Sequence, residues 1–297
     1  MSLIASEETI ALPASSRVNR RWLGTFLRNP VALVGIGIIA FTVIAALLAP
    51  VLHPEGPKMI TGDALLWPGA DPSHPLGTDS LGRDVVSGLA YGARISMLVG
   101  LVAAIIGVSL GVVIGALAGY FGGWIDNVLL RVLEFFQTLP SFVLVVVVVA
   151  IASPSVWTVA VTIGFITWPD IGRLARAEFR AIRNKDYVTA AEAIGYSPAR
   201  VIFTQILPNA LPPIVVSTSM IIASAIMMEA ALSFMGLSDG NAVSWGSMIG
   251  ESRDYLRTDW YLCALPGLAI TLTVIALNFI SDSLNDALNP RHAPREA

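Results

Sequence analysis

The polar stretch at residues 186–208 has the clearest functional pattern in this chain, because it separates two apolar runs and yet carries signals of ordered structure. Asp186 is a candidate N-cap, alanines follow it, and Gly195 stands where a left-handed residue ends a short helix. Ser197 and Pro198 are suited to be the N-cap and the first residue of a second helix. The pattern predicts a helix, a sharp glycine turn and another helix, and the chemistry that it indicates is docking on a partner.

One face of the first predicted helix is suited to close contact with another protein. Tyr187 and Ile194 share this face at helical spacing. Ala190 or Ala191 lies between them, and a small side chain there lets another backbone approach. We therefore expect this face to enter a groove. The candidate contact residues of the stretch are Asp186, Tyr187, Ala190, Ala191, Glu192, Gly195, Ser197, Pro198, Arg200 and Pro208.

A second pattern lies at residues 76–96, just before an apolar run. Its glycines and aspartates suit a tight turn that leads into a helix, and Arg83 is placed to bond to both Asp79 and Asp84. A structural role and direct contact of these charged residues with a solute are both open. The residues of this pattern are Gly77, Asp79, Gly82, Arg83, Asp84, Ser87 and Arg94.

The composition indicates an integral membrane protein. Hydrophobic residues make up 55% of the chain and charged residues only 13%, and the mean hydropathy is +0.72. So few charges cannot cover so much apolar surface in water. The single Cys263 excludes a disulfide within the chain.

Glycines recur at every fourth position of one apolar run, at Gly107, Gly111, Gly115 and Gly119. They line one face of a helix and permit close backbone contact with a second helix, of this chain or of another subunit.

Three ionisable residues lie within or near apolar runs. Arg131 and Glu134 are three residues apart and can pair near the inner interface. Pro140 predicts a kink in the same run. Glu229 falls at the outer end of a predicted span, where a helix-end or subunit contact is favoured over a solute ligand.

We predict an all-α membrane protein with six transmembrane helices and both termini in the cytosol, because Lys and Arg concentrate in the loops assigned to the inside. The predicted spans lie at about 31–52, 95–120, 128–152, 156–171, 212–231 and 260–280. The predicted regions are a cytosolic tail at 1–30, an anchor helix at 31–52, an extracytoplasmic segment at 53–91, a five-helix core at 92–285 and a cytosolic tail at 286–297. The core contains a cytosolic loop at 172–208 and an extracytoplasmic loop at 232–259.

The sequence lacks the common signatures of catalysis and nucleotide binding. It contains no Gly-x-x-x-x-Gly-Lys-Ser/Thr, no Gly-x-Ser-x-Gly, no His/Cys/carboxylate group at metal-binding spacing and no basic patch interleaved with aromatics. We therefore expect no catalytic, cofactor or metal site in this chain, and no nucleic-acid partner.

Residues 186–208 resemble the EAA loop of ATP-binding-cassette (ABC) importer permeases. The loop has the pattern Glu-Ala-Ala, three residues, Gly, nine residues, Ile, any residue, Leu-Pro. The chain aligns with it at Gly195 and at 207–208 without a gap, with Thr189 for the leading Glu and Gln205 for the Ile. The loss of the Glu predicts a slightly weaker helix start and the same role.

The pattern at 76–96 resembles the Leu-Gly-Thr-Asp, two residues, Gly-Arg-Asp, two residues, Ser signature of C-type permeases in the dipeptide/oligopeptide/nickel family. Residues 232–237, 244–248 and 289–291 resemble further parts of that family.

The resemblance implies a type I importer permease fold in the bacterial cytoplasmic (inner) membrane. It also implies a heterodimer with a second permease, two cytosolic ABC ATPases that bind the ATP and Mg, and an extracytoplasmic solute-binding protein. The implied solute is a peptide, with nickel, glutathione or a sugar as alternatives. The competing class is a secondary transporter or channel driven by an ion gradient, which would place ionisable groups or broken helices near mid-membrane.

Overall fold

The computed structural model describes residues 21–288. Residues 1–20 and 289–297, which make up most of the predicted tails at 1–30 and 286–297 and include the pattern at 289–291, lie outside the described residues. Within the described range the regular structure is helical, and β-pairing is limited to isolated bridges such as Thr78 with Asp84. The prediction of an all-α protein is confirmed.

The helices alternate between long apolar elements and short connecting ones. They are α1 (Arg21–Arg28), α2 (Pro30–Leu52), α3 (Val85–Phe121), α4 (Gly123–Thr138), α5 (Ser141–Ala152), α6 (Val156–Arg183), α7 (Asp186–Ala193), α8 (Pro198–Val201), α9 (Leu207–Phe234), α10 (Trp245–Ser252) and α11 (Tyr261–Leu288). A π-helical segment at Ile202–Ile206 joins α8 to α9, and a 3₁₀ turn at Arg253–Tyr255 follows α10.

Four helical stretches in the described range are long and apolar enough to cross a membrane. They are α2, α3, the continuous stretch Pro198–Phe234, and α11. The pair α4 and α5 makes a fifth if it crosses as one bent span. The helix α6, which contains the predicted fourth span, is long enough with its 28 residues but is not apolar enough to be counted with them.

The predicted third span is not a single kinked helix. It breaks into α4 and α5, whose axes differ by 80°. Leu139 has the extended conformation (φ −94°, ψ 136°) that the residue before a proline prefers. Pro140 therefore ends one helix and precedes the next, which is a larger change of direction than the predicted kink.

The second and fifth predicted spans belong to longer helices than expected. The helix α3 begins at Val85 because Asp84 caps it, accepting hydrogen bonds from the backbone N–H groups of Val86 and Ser87. The fifth span is continuous with the helix that starts at Pro198. The outer loop at 232–259 contains a helix of its own, α10.

The centre of the fold is the packing of α3 on α6, which run parallel to one another. Gly111, Gly115 and Gly119 face α6 so closely that a Cβ atom would lie 2.7 Å from Ile171 Cβ, 2.5 Å from the Gly172 carbonyl oxygen and 2.6 Å from the Arg176 carbonyl oxygen, respectively. Gly107 meets Thr167 and Gly164 in the same way. The second helix of the glycine contact is thus in this chain rather than in another subunit.

Candidate functional site

The stretch 186–208 forms the predicted helix, glycine turn and helix. Gly195 has the left-handed φ of +88°, and two hydrogen bonds complete a Schellman end: Tyr196 N–H to the Ala191 carbonyl at 3.1 Å and Gly195 N–H to the Glu192 carbonyl at 3.0 Å. This geometry satisfies carbonyls at the end of α7 that would otherwise lack partners, and it turns the chain sharply.

The start of α7 corrects one prediction. Lys185, with extended φ and ψ of −85° and 145°, occupies the N-cap position and makes no side-chain cap. Asp186 is the first helical residue, where its negative charge is favourable at the positive end of the helix dipole.

The second helix begins as the sequence predicts. Ser197 is its N-cap and accepts a hydrogen bond from Arg200 N–H at 3.4 Å, and Pro198 is the first helical residue. The Arg200 guanidinium lies 4.0 Å from the centre of the Tyr196 ring. Pro208 lies in the first turn of α9, so the stretch leads directly into a membrane-length helix.

The helix α7 has one face on the bundle and one face exposed. Val188 and Ala191 are buried, and Val188 belongs to a cluster with Phe179 and other apolar residues. Tyr187 and Ile194 are 42% and 72% exposed, and Ala190 is exposed between them. Ala190, and not Ala191, therefore belongs to the exposed apolar face. Partial burial of the Tyr187 ring raises the pKa of its phenol.

Two ion pairs involve residues of α4. The Arg176 guanidinium holds the Asp126 carboxylate in a two-point pair, with Nη2 to Oδ2 at 2.8 Å, which joins α6 to α4. Arg131 and Glu134 pair at 3.1 Å, but Arg131 is 85% exposed, so this pair adds little stability.

The segment predicted to be extracytoplasmic forms the expected tight turn, with one correction to the role of Arg83. Asp79 Oδ1 accepts hydrogen bonds from Leu81 N–H at 2.8 Å and from Arg83 N–H at 2.9 Å. The Arg83 side chain lies 4.0 Å from Asp79 and 3.3 Å from Glu251 on α10, whereas Asp84 caps α3. Arg83 thus joins the turn to α10 rather than bridging the two aspartates.

The remaining residues of that pattern support the turn and the helix that follows. Gly77 and Gly82 have φ of +79° and +80°, and carbonyl oxygens occupy the space where their Cβ atoms would lie. Ser87 is buried in the first turn of α3, and Arg94 is exposed on the same helix. The adjoining cavity, lined by Asp79, Arg83 and Asp84 among others, has a volume of about 30 Å³. It can hold water and is too small for a peptide.

A second turn in the outer segment is fixed by Asp71. Its carboxylate accepts hydrogen bonds from Ser73 N–H at 3.0 Å and Ser73 Oγ at 2.7 Å, and it lies 2.8 Å from His74 Nδ1. The bonds from Ser73, followed by the contact with His74, lower the pKa of Asp71 to about 2.

Glu229 does not lie at a helix end. The helix α9 continues to Phe234, and Glu229 is only 4% exposed. Its carboxylate accepts hydrogen bonds from Ser96 on α3 at 3.1 Å and from Ser233 at 2.7 Å, and Ser233 contacts Ser244, the N-cap of α10. Glu229 therefore joins three helices of this chain.

The described residues contain no cluster of three or more His, Cys, Asp or Glu that could hold a metal ion.

The family follows from two sequence-model matches. The model described as "Binding-protein-dependent transport system inner membrane component" matches residues 111–293. The model described as "N-terminal TM domain of oligopeptide transport permease C" matches residues 20–68. The chain belongs to the first of these families. It is a multi-pass membrane protein.

Related chains match along nearly their whole length. The dipeptide transport system permease protein DppC of Escherichia coli K12 is 40% identical over 98% of this chain and 99% of its own. The di/tripeptide transport system permease protein DppC of Pseudomonas aeruginosa is 36% identical over 97% of this chain and 96% of its own.

A solved structure shares the fold. The chain matches the inward-facing MetNI methionine ABC transporter with a TM-score of 0.57 over 68% of this chain and 96% of the other, at 18% identity. The family matches and the relatives confirm the resemblance to peptide importer permeases that the sequence indicated.

Proposed function

We propose that this chain is a permease subunit of an ATP-driven importer that moves di- or oligopeptides across the bacterial cytoplasmic membrane. The main support is the exposed apolar face of α7. This helix ends at the Gly195 turn, and the helical stretch that follows the turn is long enough to cross a membrane. The relatives named as dipeptide permeases support the class of solute.

In this proposal the conformational change that drives transport comes from partner subunits. Two cytosolic ATPases bind ATP and Mg, and their closure displaces α7, which fits a groove through Tyr187, Ala190 and Ile194. A second permease completes the pathway and an extracytoplasmic binding protein delivers the peptide. This chain performs no chemical step: its residues hold the docking face, pass on its displacement and pack the pathway helices.

The proposed topology has six spans with both termini in the cytosol. The bent pair α4 and α5 forms the third span and the apolar first half of α6 forms the fourth. The loop-charge rule supports a cytosolic location for the end of α6, which carries four arginines: Arg173, Arg176, Arg180 and Arg183.

Cysteine labelling tests this topology. Cys263→Ser removes the single native cysteine, and Ile194→Cys or Glu251→Cys adds one exposed probe. A membrane-impermeant maleimide added to intact cells should label position 251 and spare position 194 until the membrane is opened. Labelling of position 194 from outside would overturn the orientation.

An ion-coupled transporter is the second candidate, and the buried Glu229 carboxylate within α9 is the observation that favours it. Vesicles separate the two functions. Uptake of a labelled dipeptide that needs ATP, the ATPases and the binding protein supports the importer. Uptake by the chain in an ion gradient without ATP, lost in Glu229→Gln, supports the second candidate.

A further inference from the structure

Three helix ends meet around Tyr120 at the end of the bundle that carries α7. Tyr120 is the last residue but one of α3 and is only 5% exposed. Its hydroxyl donates a hydrogen bond to Glu192 Oε1 on α7 at 3.0 Å. The guanidinium of Arg183, the last residue of α6, lies 5.0 Å from the centre of the Tyr120 ring and donates to its backbone carbonyl oxygen.

The chain itself connects α7 to α6 and to α9, but not to α3. Toward α9 the path crosses the Gly195 turn and the π-helical segment Ile202–Ile206, where the regular i→i−4 ladder is interrupted. The longest helix, α3, is reached from α7 through side chains. Within the described residues, the hydrogen bond from Tyr120 to Glu192 is such a side-chain contact between α3 and α7.

The surroundings make Tyr120 suited to carry a displacement. It belongs to the same buried cluster as Val188 of α7, and its hydroxyl is bonded to Glu192 of the same helix, so Tyr120 is packed against α7. At the other side α3 is held to α6 by the glycine contacts, so that α3 and α6 move together. A shift of α7 therefore acts on a rigid pair of helices.

We propose that Tyr120 is a positioning residue that sets the seat of α7 on α3 through Glu192 and passes the displacement of α7 to the α3–α6 pair. The inference rests on the proposed function, because it concerns how the docking face is linked to the pathway. Tyr120 touches neither ATP nor solute. Its effect appears in the number of solute molecules moved per ATP hydrolysed.

The test uses the assembled transporter in proteoliposomes with its ATPases and binding protein. Tyr120→Phe removes one hydroxyl and keeps the packed ring. The expected result is normal assembly and continued ATP hydrolysis, with solute moved per ATP reduced about fivefold, the scale of one lost hydrogen bond. Glu192→Ala should reduce the ratio similarly, and the double variant should be no worse than the more severe single variant, because both remove the same contact.

Tyr91→Phe is the matched control. It lies on the same helix, and its hydroxyl also makes one hydrogen bond, to the His53 carbonyl at 3.1 Å, at the opposite end. It should keep the wild-type ratio even if its thermal stability falls as much as that of Tyr120→Phe. An equal loss of ratio in this control would show a general structural effect and overturn the inference.

The outcomes separate the inference from the proposed function. A wild-type transporter without ATP-dependent uptake refutes the proposed function. A wild-type transporter that works while Tyr120→Phe keeps its ratio refutes only the role of Tyr120. If Tyr120→Phe does not assemble, the exposed Glu192 decides: Glu192→Ala with a wild-type ratio would refute the role, and a reduced ratio would support it.

Discussion

The contact between α3 and α6 makes Gly115→Ala a sharp test of the fold. An added Cβ would lie 2.5 Å from the Gly172 carbonyl oxygen, 2.7 Å from Ala175 Cβ and 2.8 Å from Arg176 N, whereas ordinary contact begins at 3.4 Å. The helices must therefore separate by roughly 1 Å or tilt, and overpacking of this kind costs about 1–3 kcal/mol. Gly37→Ala on α2 is the control, because no atom lies within 4 Å of its added Cβ.

Thermal unfolding of the purified protein in detergent, followed by tryptophan fluorescence, measures the difference. Replacing glycine by alanine within a helix adds about 1 kcal/mol of helix propensity in both variants. The difference between their melting temperatures therefore reports the contact of Gly115 with α6. At about 2–4 °C per kcal/mol, Gly115→Ala should melt roughly 2–12 °C below Gly37→Ala. Equal melting temperatures would contradict the close packing of α3 on α6.

Further outcomes are expected elsewhere in the chain. Gly195→Val should abolish solute uptake and stimulation of the ATPases while the subunits still assemble, because valine is strained at φ +88°. Uptake and ATPase-stimulation assays, with a subunit pull-down for assembly, measure this effect. Uptake and stimulation that survive the change would refute the role of the turn. Glu229→Leu should lower stability by about 1–3 kcal/mol, because Ser96 and Ser233 lose their acceptor; thermal unfolding checks it, and an unchanged melting temperature contradicts it. The lowered pKa of Asp71 stabilises the outer turn fully above its ordinary pKa of 3.8, and this stabilisation is lost as pH falls toward about 2. The rate at which pepsin cleaves this segment in the wild type, divided by the rate in Asp71→Asn, should therefore rise as pH falls from 4 to 2. A ratio of the two rates that stays constant over this pH range would contradict the prediction.

Local signals explain the parts of the stretch 186–208 that could be predicted. The left-handed Gly195, the Ser197 cap and Pro198 act within a few residues of themselves, so their geometry can be read from the sequence. The predicted N-cap of α7 was wrong by one residue: Lys185 occupies that position without a side-chain cap, so no capping side chain marks the start in the sequence. Val188 and Ala191, three residues apart, are both buried on the face toward the bundle.

Contacts between distant residues could not be predicted in the same way. Tyr120 and Glu192 are 72 positions apart, and nothing near either residue indicates the other. Arg83 lies beside Glu251 because α10 folds back over the outer segment. The sequence predicted Glu229 to lie at a helix end. It does not show that the helix continues to Ser233, which donates a hydrogen bond to Glu229, or that α10 begins next to this site. The i, i+4 spacing of Glu229 and Ser233 was the available signal.

The central claim is that this chain is driven by ATPase subunits docked at α7. The measurement is the uptake of a labelled dipeptide by proteoliposomes that contain the two permeases. The binding protein is on one side of the membrane and the ATPases are on the other. The account predicts uptake that requires ATP and that stops when Ile194→Asp places a charge on the exposed face of α7. Uptake by this chain alone without ATP, or full ATP-driven uptake with the charged face, would contradict it.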